Sequence, residues 1–373
     1  MEKWHQFEVI KNDLEKAQLA SKQAPGIAQG EISVRIERFA FTANNISYGV
    51  VGGRIGYWKF FPTFNPDAKT DADNKWGVIP VWGIGVVEES RCAGVEEGER
   101  LYGYFPMGSH LVLKPEKIKQ ERFLDGSEHR ASLPAVYNNY NRLNAEENYT
   151  TDTDDERVLL MPLYATSFCL YDFLIDNKWF GASQDANGQV IIPSASSKTA
   201  LGLAYALSDD KNAPHLVGFT SSENRQMVEA CGLYDQVLTY DQLSGIDTSR
   251  PSVIVDMSGN GQVLSDLHGA LGDQMRYCAN VGLTHYDSNK MGPNFISERS
   301  ARFFAPSHIQ KRAAEWGPGV FEAKAGEFWY KTSMRTREWQ KISHSKSVGE
   351  IENVYREALR GDVPAAEARV VVL

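Results

Sequence analysis

The chain has 373 residues, of which 42% are hydrophobic, 23% charged and 11% aromatic, and its formal net charge is −9. That length allows two domains and a sizeable core, while the acidic balance argues against nucleic acid as the main partner, because phosphate binding wants a basic surface. No uncharged apolar run of about 18 residues stands out, so no membrane partner is expected, and the charged start MEKWHQFEVIKNDLEKAQLA lacks an apolar signal core, which leaves a cytoplasmic location as the default.

Residues 1–30 read as a polar lead-in closing on the turn Ala24-Pro25-Gly26. Residues 31–39 alternate polar and apolar, the pattern of a half-exposed strand. The uncharged stretch Thr42–Tyr48 follows, then an aromatic, glycine-rich segment, 52–61, and a polar loop, 65–75. From Trp76 to Pro115 short strands stand between glycine turns, which predicts a small barrel-like domain. Residues 120–157 are polar with little periodicity and read as a surface insertion. A helix is predicted from near Tyr164.

The α/β part begins at Val190-Ile191-Ile192, a short β-branched run suited to a buried strand. A turn of small residues, a helix with Ala200, Leu201, Leu203, Ala204 and Leu207 apolar, and the strand 215–219 complete a βαβ unit. Alternation continues through the helix 224–231, the strands 236–240 and 253–257, the helix 263–271 and the strand 276–281. This predicts a doubly wound parallel sheet. The tail from Ser297 holds one or two helices and ends in the apolar run Val370-Val371-Val372-Leu373, able to return as a strand. The cysteines Cys92, Cys169, Cys231 and Cys278 are scattered, with no C-x-x-C pair, so reduced thiols are expected rather than disulfides or a structural zinc.

The order of these elements, and VWGIGVVEESRCAGVEEGERLYGYFPMGSHLVLKP at 81–115, resemble the medium-chain dehydrogenase/reductase superfamily, whose GroES-like barrel has such a glycine-bracketed strand and turn. TANNISY at 42–48 and FFAPSHIQKR at 303–312 resemble more closely the domain-of-unknown-function 2855 family. The resemblance implies an α/β fold with a GroES-like β-rich substrate domain over 1–160, carrying the polar insertion near 120–157. It further implies a Rossmann NADP-binding domain over 161–300 and a segment, 301–373, returning to the first domain. Zinc enzymes of the superfamily carry a Cys near the end of the first strand pair and a His-Glu pair downstream. Here those places hold Asn44-Asn45 and Trp82-Gly83-Ile84, so no metal is expected. The resemblance is therefore to the zinc-free branch of quinone oxidoreductases and enoyl reductases, which reduce an activated C=C or C=O with NADPH, and it implies a homodimer.

The turn Ser194-Ala195-Ser196-Ser197-Lys198-Thr199 takes the place of the branch's glycine-rich nucleotide turn. Serines are small enough to let backbone N–H groups and the helix start face a phosphate, with Lys198 as a cation; equally, such a turn merely caps the helix. After Phe219 comes Thr220-Ser221-Ser222-Glu223-Asn224-Arg225, with no acid directly at the strand end, which favours NADP(H) over NAD. Ser258, Gly259, Gly282 and Thr284 end two further strands at the same edge, and Thr166 resembles the branch's threonine beside the nicotinamide. Tyr48 is the candidate proton donor, with Asn44 and Asn45 to hydrogen-bond substrate or ribose; the alternative is a buried tyrosine with a satisfied hydroxyl. Tyr57, Trp82 and Phe105 suit a flat apolar substrate and equally suit a core. The expected function is a zinc-free NADP(H)-dependent reductase acting on an activated C=C or C=O of a hydrophobic small molecule, aromatic ones included. A non-redox enzyme on the same scaffold (C–C bond cleavage, lyase or hydrolytic) and an NADPH-binding protein without turnover are the alternatives.

Overall fold

The structure, a computed structural model, describes residues 3–64, 74–147, 149–282 and 291–373. The chain divides into two compact units: Met1–Leu159 with Gln340–Leu373, and Leu160–Trp339.

The first unit is β-rich. Its start is an antiparallel hairpin, β1 (Lys3–Ile10) and β2 (Asp13–Gln23), where the sequence predicts a polar lead-in. The hairpin was masked because charged residues line its wet face, as antiparallel strands permit. β1 is buried on both faces, Phe7 and Val9 on one and Trp4, Gln6 and Glu8 on the other, where Glu8 accepts hydrogen bonds from Gln18 Nε2 (2.9 Å) and the Phe64 N–H (2.7 Å). The hub of the main sheet is β3 (Ile32–Ala40), followed by helix α1 (Ala43–Ile55). The two-residue β4 (Trp76–Gly77) extends the hairpin sheet beside β1. The main sheet takes in β5 (Pro80–Ser90), β6 (Arg100–Pro106), β7 (His110–Leu113), β8 (Pro115–Glu116), β9 (Arg122–Asp125) and β10 (Asn139–Arg142).

The stretch 120–157 therefore does not stand apart as a surface insertion: it gives β9 and β10 to the sheet and Phe123, Tyr140 and Leu143 to its buried interior. Its polar residues include the partners of Arg130, which is fully buried: the Arg130 Nε donates to Asn138 Oδ1 (3.1 Å), Nη1 to Asp125 Oδ2 and Tyr140 Oη (both 3.0 Å), and Nη2 to the Tyr137 carbonyl (2.7 Å). A buried guanidinium needs such a complete set of acceptors, and that set is polar without period.

Helix α2 (Asp154–Asp176) starts ten residues before the predicted point. Asp154, Asp155 and Glu156 fill its first turn, where carboxylates meet the positive end of the helix dipole. Asp154 also accepts from Arg100 Nη2 (2.9 Å) and the Tyr149 hydroxyl (2.6 Å). By length and composition α2 is apolar enough to cross a bilayer, contrary to the expectation that no segment qualifies; half of that window is buried within the protein.

The second unit meets the expectation of a Rossmann sheet. It contains β11 (Gln189–Pro193), α3 (Lys198–Asp209), β12 (His215–Thr220), α4 (Arg225–Ala230), β13 (Gln236–Thr239), β14 (Ser252–Asp256), α5 (Gly261–Leu271), β15 (Met275–Asn280) and β16 (Ser300–Arg302). All pairings are parallel, in the order β13-β12-β11-β14-β15-β16, the 3-2-1-4-5-6 arrangement of a dinucleotide-binding sheet. The strands are apolar on both faces because both are covered. Val190, Ile192, Val253 and Val255 face Leu201 and Ala204 of α3, while Ile191, Val217 and Ile254 face Leu264 and Leu267 of α5. Helix α3 packs closely on α2 at Gly202, where an added Cβ would lie 2.5 Å from Ser167 Oγ and 2.6 Å from Tyr164 Cδ1. Helices α6 (Ala305–Trp316) and α7 (Val320–Arg337) also belong to this unit. The last stretch, β17 (Lys341–Ser345), α8 (Ile351–Arg360) and β18 (Glu367–Val372), belongs to the first unit, with Val370 opposite Ala40 on β3.

Candidate functional site

Parallel strands bring their carboxyl ends to one edge, so the turns after β11, β12, β13 and β14 gather there. After β11, Ser194 has φ +61°, a left-handed conformation that glycine adopts more readily. Its N–H donates to the Tyr240 hydroxyl oxygen (3.0 Å). The Ala195 N–H donates to the Phe219 carbonyl (2.8 Å), and the Ala195 carbonyl accepts from the Tyr234 hydroxyl (2.9 Å). Ser197 is the N-cap of α3, its Oγ accepting from the Ala200 N–H (3.3 Å). Lys198 and Thr199 open the helix, where the first N–H groups have no partner inside it. Ser196 is half-buried in the turn. The Thr199 carbonyl accepts from Ser167 Oγ (2.8 Å), which ties the helix start to α2. Thr166, on α2, donates to the Pro162 carbonyl of its own helix (3.1 Å).

Thr220, at the end of β12, is 1% exposed, and its Oγ1 has no hydrogen-bond partner among the described residues. Ser221 Oγ accepts from the Asn224 N–H (3.3 Å) in the turn before α4, while Ser222 is exposed. Arg225 pairs with Glu229 (2.8 Å), and its Nη1 donates to Gln242 Oε1 (3.2 Å). The guanidinium is thus held toward the loop after β13.

At the end of β14 sits Asp256, which sequence reasoning passed over although it is a carboxylate closing an apolar strand. It accepts from the Ser258 N–H (2.9 Å), Ser258 Oγ (2.6 Å) and the Gly259 N–H (2.9 Å). Those groups, expected to line a nucleotide, are spent on Asp256. Burial pushes its carboxyl up to about 6, against the pull of these three donors. The Gly282 N–H donates to the Asp256 carbonyl (3.2 Å), and a Cβ on Gly282 would lie 2.3 Å from the Met257 carbonyl oxygen, so the approach requires glycine. Thr284 lies outside the described residues. At the opposite, amino edge of the sheet a half-open cavity of about 510 Å³ is lined by charges of both signs, among them Lys211, Asp235 and Arg250.

The edge fits a phosphorylated dinucleotide on two observations: the unpartnered buried Thr220 hydroxyl, and a strand end without an acid. Among the described residues no group of three or more His, Cys, Asp or Glu is placed to hold a metal ion.

In the first unit, Thr42 and Asn45 form a capping box at the start of α1, and Asn45 Nδ2 donates to the Pro80 carbonyl (3.0 Å). Asn45 is buried and committed, which corrects its expected contact with a ligand. Asn44 Nδ2, one turn before Tyr48, donates to the Tyr48 hydroxyl oxygen (2.7 Å). Burial raises the Tyr48 phenol, while Asn44 and the Trp82 indole pull the other way. Tyr48 packs on Tyr57, with ring centroids 4.6 Å apart, and Tyr57 shares a hydrogen bond with Tyr137 (2.8 Å between hydroxyls). Trp82 is half-buried and stacks on Tyr102 at 5.6 Å. Tyr104 completes the group, fully buried, its hydroxyl unpartnered among the described residues. Phe105 has no exposed surface and packs edge-on against Tyr140, so it is a core residue rather than a substrate wall.

This architecture is shared by solved structures. CurA from Vibrio vulnificus in complex with NADPH superposes with a TM-score of 0.59 at 14% identity, covering 99% of this chain and 98% of that one. A mutant enoyl thioester reductase from Candida tropicalis gives 0.59 at 10% identity with both chains fully covered, and the quinone oxidoreductase from Coxiella burnetii 0.52 at 11%, again with full coverage. The fold is the one these solved structures share, a β-rich unit followed by a Rossmann sheet, as the sequence predicts. No curated protein matches the sequence. Residues 39–364 match the model described as "Protein of unknown function (DUF2855)", and the chain belongs to that family.

Proposed function

We propose that this protein is an NADP(H)-dependent oxidoreductase that reduces an activated C=C or C=O of a hydrophobic small molecule. The observation that carries the reading is the end of β12. Where an NAD enzyme places an acid for the ribose 2′-hydroxyl, this chain has the buried, unpartnered Thr220 hydroxyl, then Ser221 and Ser222, and Arg225 at the start of α4, its guanidinium bonded to Glu229 and Gln242. A cation and hydroxyls there suit a 2′-phosphate. The start of α3, with Ser197, Lys198 and Thr199, suits the pyrophosphate. NADPH, when bound, supplies the hydride. Tyr48 supplies the proton: its oxygen accepts from Asn44, which leaves its O–H to donate. Trp82, half-buried beside the Tyr104 ring, favours a flat apolar substrate, whereas Tyr57 is buried against Tyr137 and is a core residue like Phe105. Solved proteins that share the fold, one in complex with NADPH and others named as an enoyl thioester reductase and a quinone oxidoreductase, support the reading.

The test is binding of NADPH and NADH followed by fluorescence, then turnover of enones and quinones. Arg225→Ala is expected to weaken NADPH by about ten-fold or more, the worth of a charge-assisted hydrogen bond, while NADH is nearly unaffected. Equal loss for both would refute the 2′-phosphate role, and binding without turnover would leave a nucleotide-binding protein that does no reduction.

A further inference from the structure

In the nucleotide turn, no backbone polar group of Ser194 or Ala195 remains open to a phosphate from the direction glycines normally allow. The Ser194 N–H meets Tyr240, its carbonyl accepts from the Ser197 N–H (2.9 Å), and both Ala195 groups are taken by Phe219 and Tyr234. The Tyr234 ring is fitted over β12 at Gly218, where an added Cβ would lie 2.8 Å from its Cδ1. Its hydroxyl donates inward, to a carbonyl. The Tyr240 hydroxyl does the reverse. It accepts from Ser194, and a phenol that accepts keeps its own hydrogen to give. No acceptor for that hydrogen exists among the described residues.

We propose that Tyr240 supplies the phosphate contact that this glycine-free turn lacks, its hydroxyl accepting the Ser194 N–H and donating its own hydrogen to the pyrophosphate of a bound dinucleotide. The inference rests on the dinucleotide reading above and adds the residue that makes it chemically workable. In a glycine-rich turn the backbone N–H reaches the phosphate directly. Here the N–H reaches it through one hydroxyl, and each hydrogen bond in such a chain polarises the next. Tyr240 is placed for this by β13: it is the first residue after that strand, and its ring lies parallel to Phe219 with centroids 6.4 Å apart. The unpartnered Thr220 hydroxyl follows Phe219, the residue whose carbonyl fixes the turn, so two open hydroxyls flank one stretch of backbone. Burial pushes the Tyr240 phenol up to about 12, so it stays protonated, a donor, at neutral pH.

The experiment is titration of the full chain and its Tyr240→Phe variant with NADPH and with NADH, read by nucleotide fluorescence. The pyrophosphate is common to both nucleotides, so the expected result is an equal loss for the two, about 10- to 100-fold, as for one hydrogen bond to a charged group. Tyr240→p-aminophenylalanine, which keeps an atom able to accept and donate, is expected to recover most of the affinity, and it carries the test if Y240F melts early. Three results would overturn the proposal: unchanged affinity; tighter binding, which would make the phenol a plug in the phosphate's place; or loss confined to NADPH, which would assign the phenol to the 2′-phosphate. Failure of the unaltered protein to bind either nucleotide would instead bring down the dinucleotide reading itself, and the relay with it.

Discussion

Two buried titratable groups in the second unit oppose each other as the pH falls, and their separation is the sharpest test of the structure. His268, on α5, is fully buried and stacked on Phe295 at 4.8 Å. Its Nδ1 accepts from the Ile296 N–H (2.9 Å), so the ring is neutral with its hydrogen on Nε2. Burial, with the Arg299 charge adding to it, lowers the imidazole to about 4. In the unfolded chain histidine titrates near 6.5, so the unfolded state takes the proton first and stability falls as pH drops from about 6.5 towards 4. Asp256 behaves oppositely. Its carboxyl is raised to about 6, so the native state takes the proton first and stability rises as pH drops from about 6 towards 3.8. Between about pH 7.5 and 4.5, linkage gives roughly 2.5 kcal/mol lost through His268 and roughly 2 kcal/mol gained through Asp256. The two nearly cancel in the intact protein. His268→Gln should therefore become more stable on acidification by about 2.5 kcal/mol relative to the unaltered protein, and Asp256→Asn less stable by about 2 kcal/mol. Because the protein has two units, the opening of the second should be followed locally. Urea-dependent hydrogen exchange of peptides from β11 and β14 at the two pH values does this. All other titrating groups cancel in the difference between variant and parent. A variant whose pH dependence matched the parent's within about 0.5 kcal/mol, the usual scatter of such differences, would show that its group does not titrate as described.

Tyr48→Phe removes the proposed proton donor while keeping the ring against Tyr57; turnover should fall about 10²- to 10⁴-fold with NADPH affinity unchanged, as steady-state kinetics and fluorescence titration would check. Gly202→Ala pushes a methyl group into Ser167 and Tyr164 and should destabilise the second unit by about 1–3 kcal/mol, read from its urea midpoint, whereas a neutral effect would mean that Ser167 and Tyr164 leave room for a Cβ at this crossing.

Legibility followed the physics of each sheet. The β11–β15 region was readable because a parallel strand covered on both faces must be a continuous apolar run, as in Val190-Ile191-Ile192 and Val253-Ile254-Val255. The hairpin β1–β2 was not, because an antiparallel pair with a wet face tolerates Lys, Glu and Gln along its length. Helix α1 hid behind a capping box built from Thr42 and Asn45 rather than the usual Glu or Gln, with Gly49, Gly52 and Gly53 inside it. The region 120–157 lacks period because its polar residues answer to scattered charged partners, Asp125 and Asn138 to the buried Arg130, Arg142 to Glu99 and Asp154 to Arg100. Tyr240 carried a faint signal, a lone tyrosine directly after a strand, and Asp256 a clearer one.

The sequence by itself determined the class of fold, the absence of an acid at the end of β12 and the missing glycines of the turn, since these are matters of residue type in order. Tertiary structure decided what occupies the glycines' place. The partners of Ser194 and Ala195 come from Tyr240, Tyr234 and Phe219, tens of residues away, and only the pairing of β11, β12 and β13 brings them to one turn. Asn45 likewise looks like a free amide in sequence and is a buried cap in the fold. Hydrogen bonds between residues distant along the chain leave no local pattern, so a turn that reads as damaged is, in three dimensions, one held by two phenols.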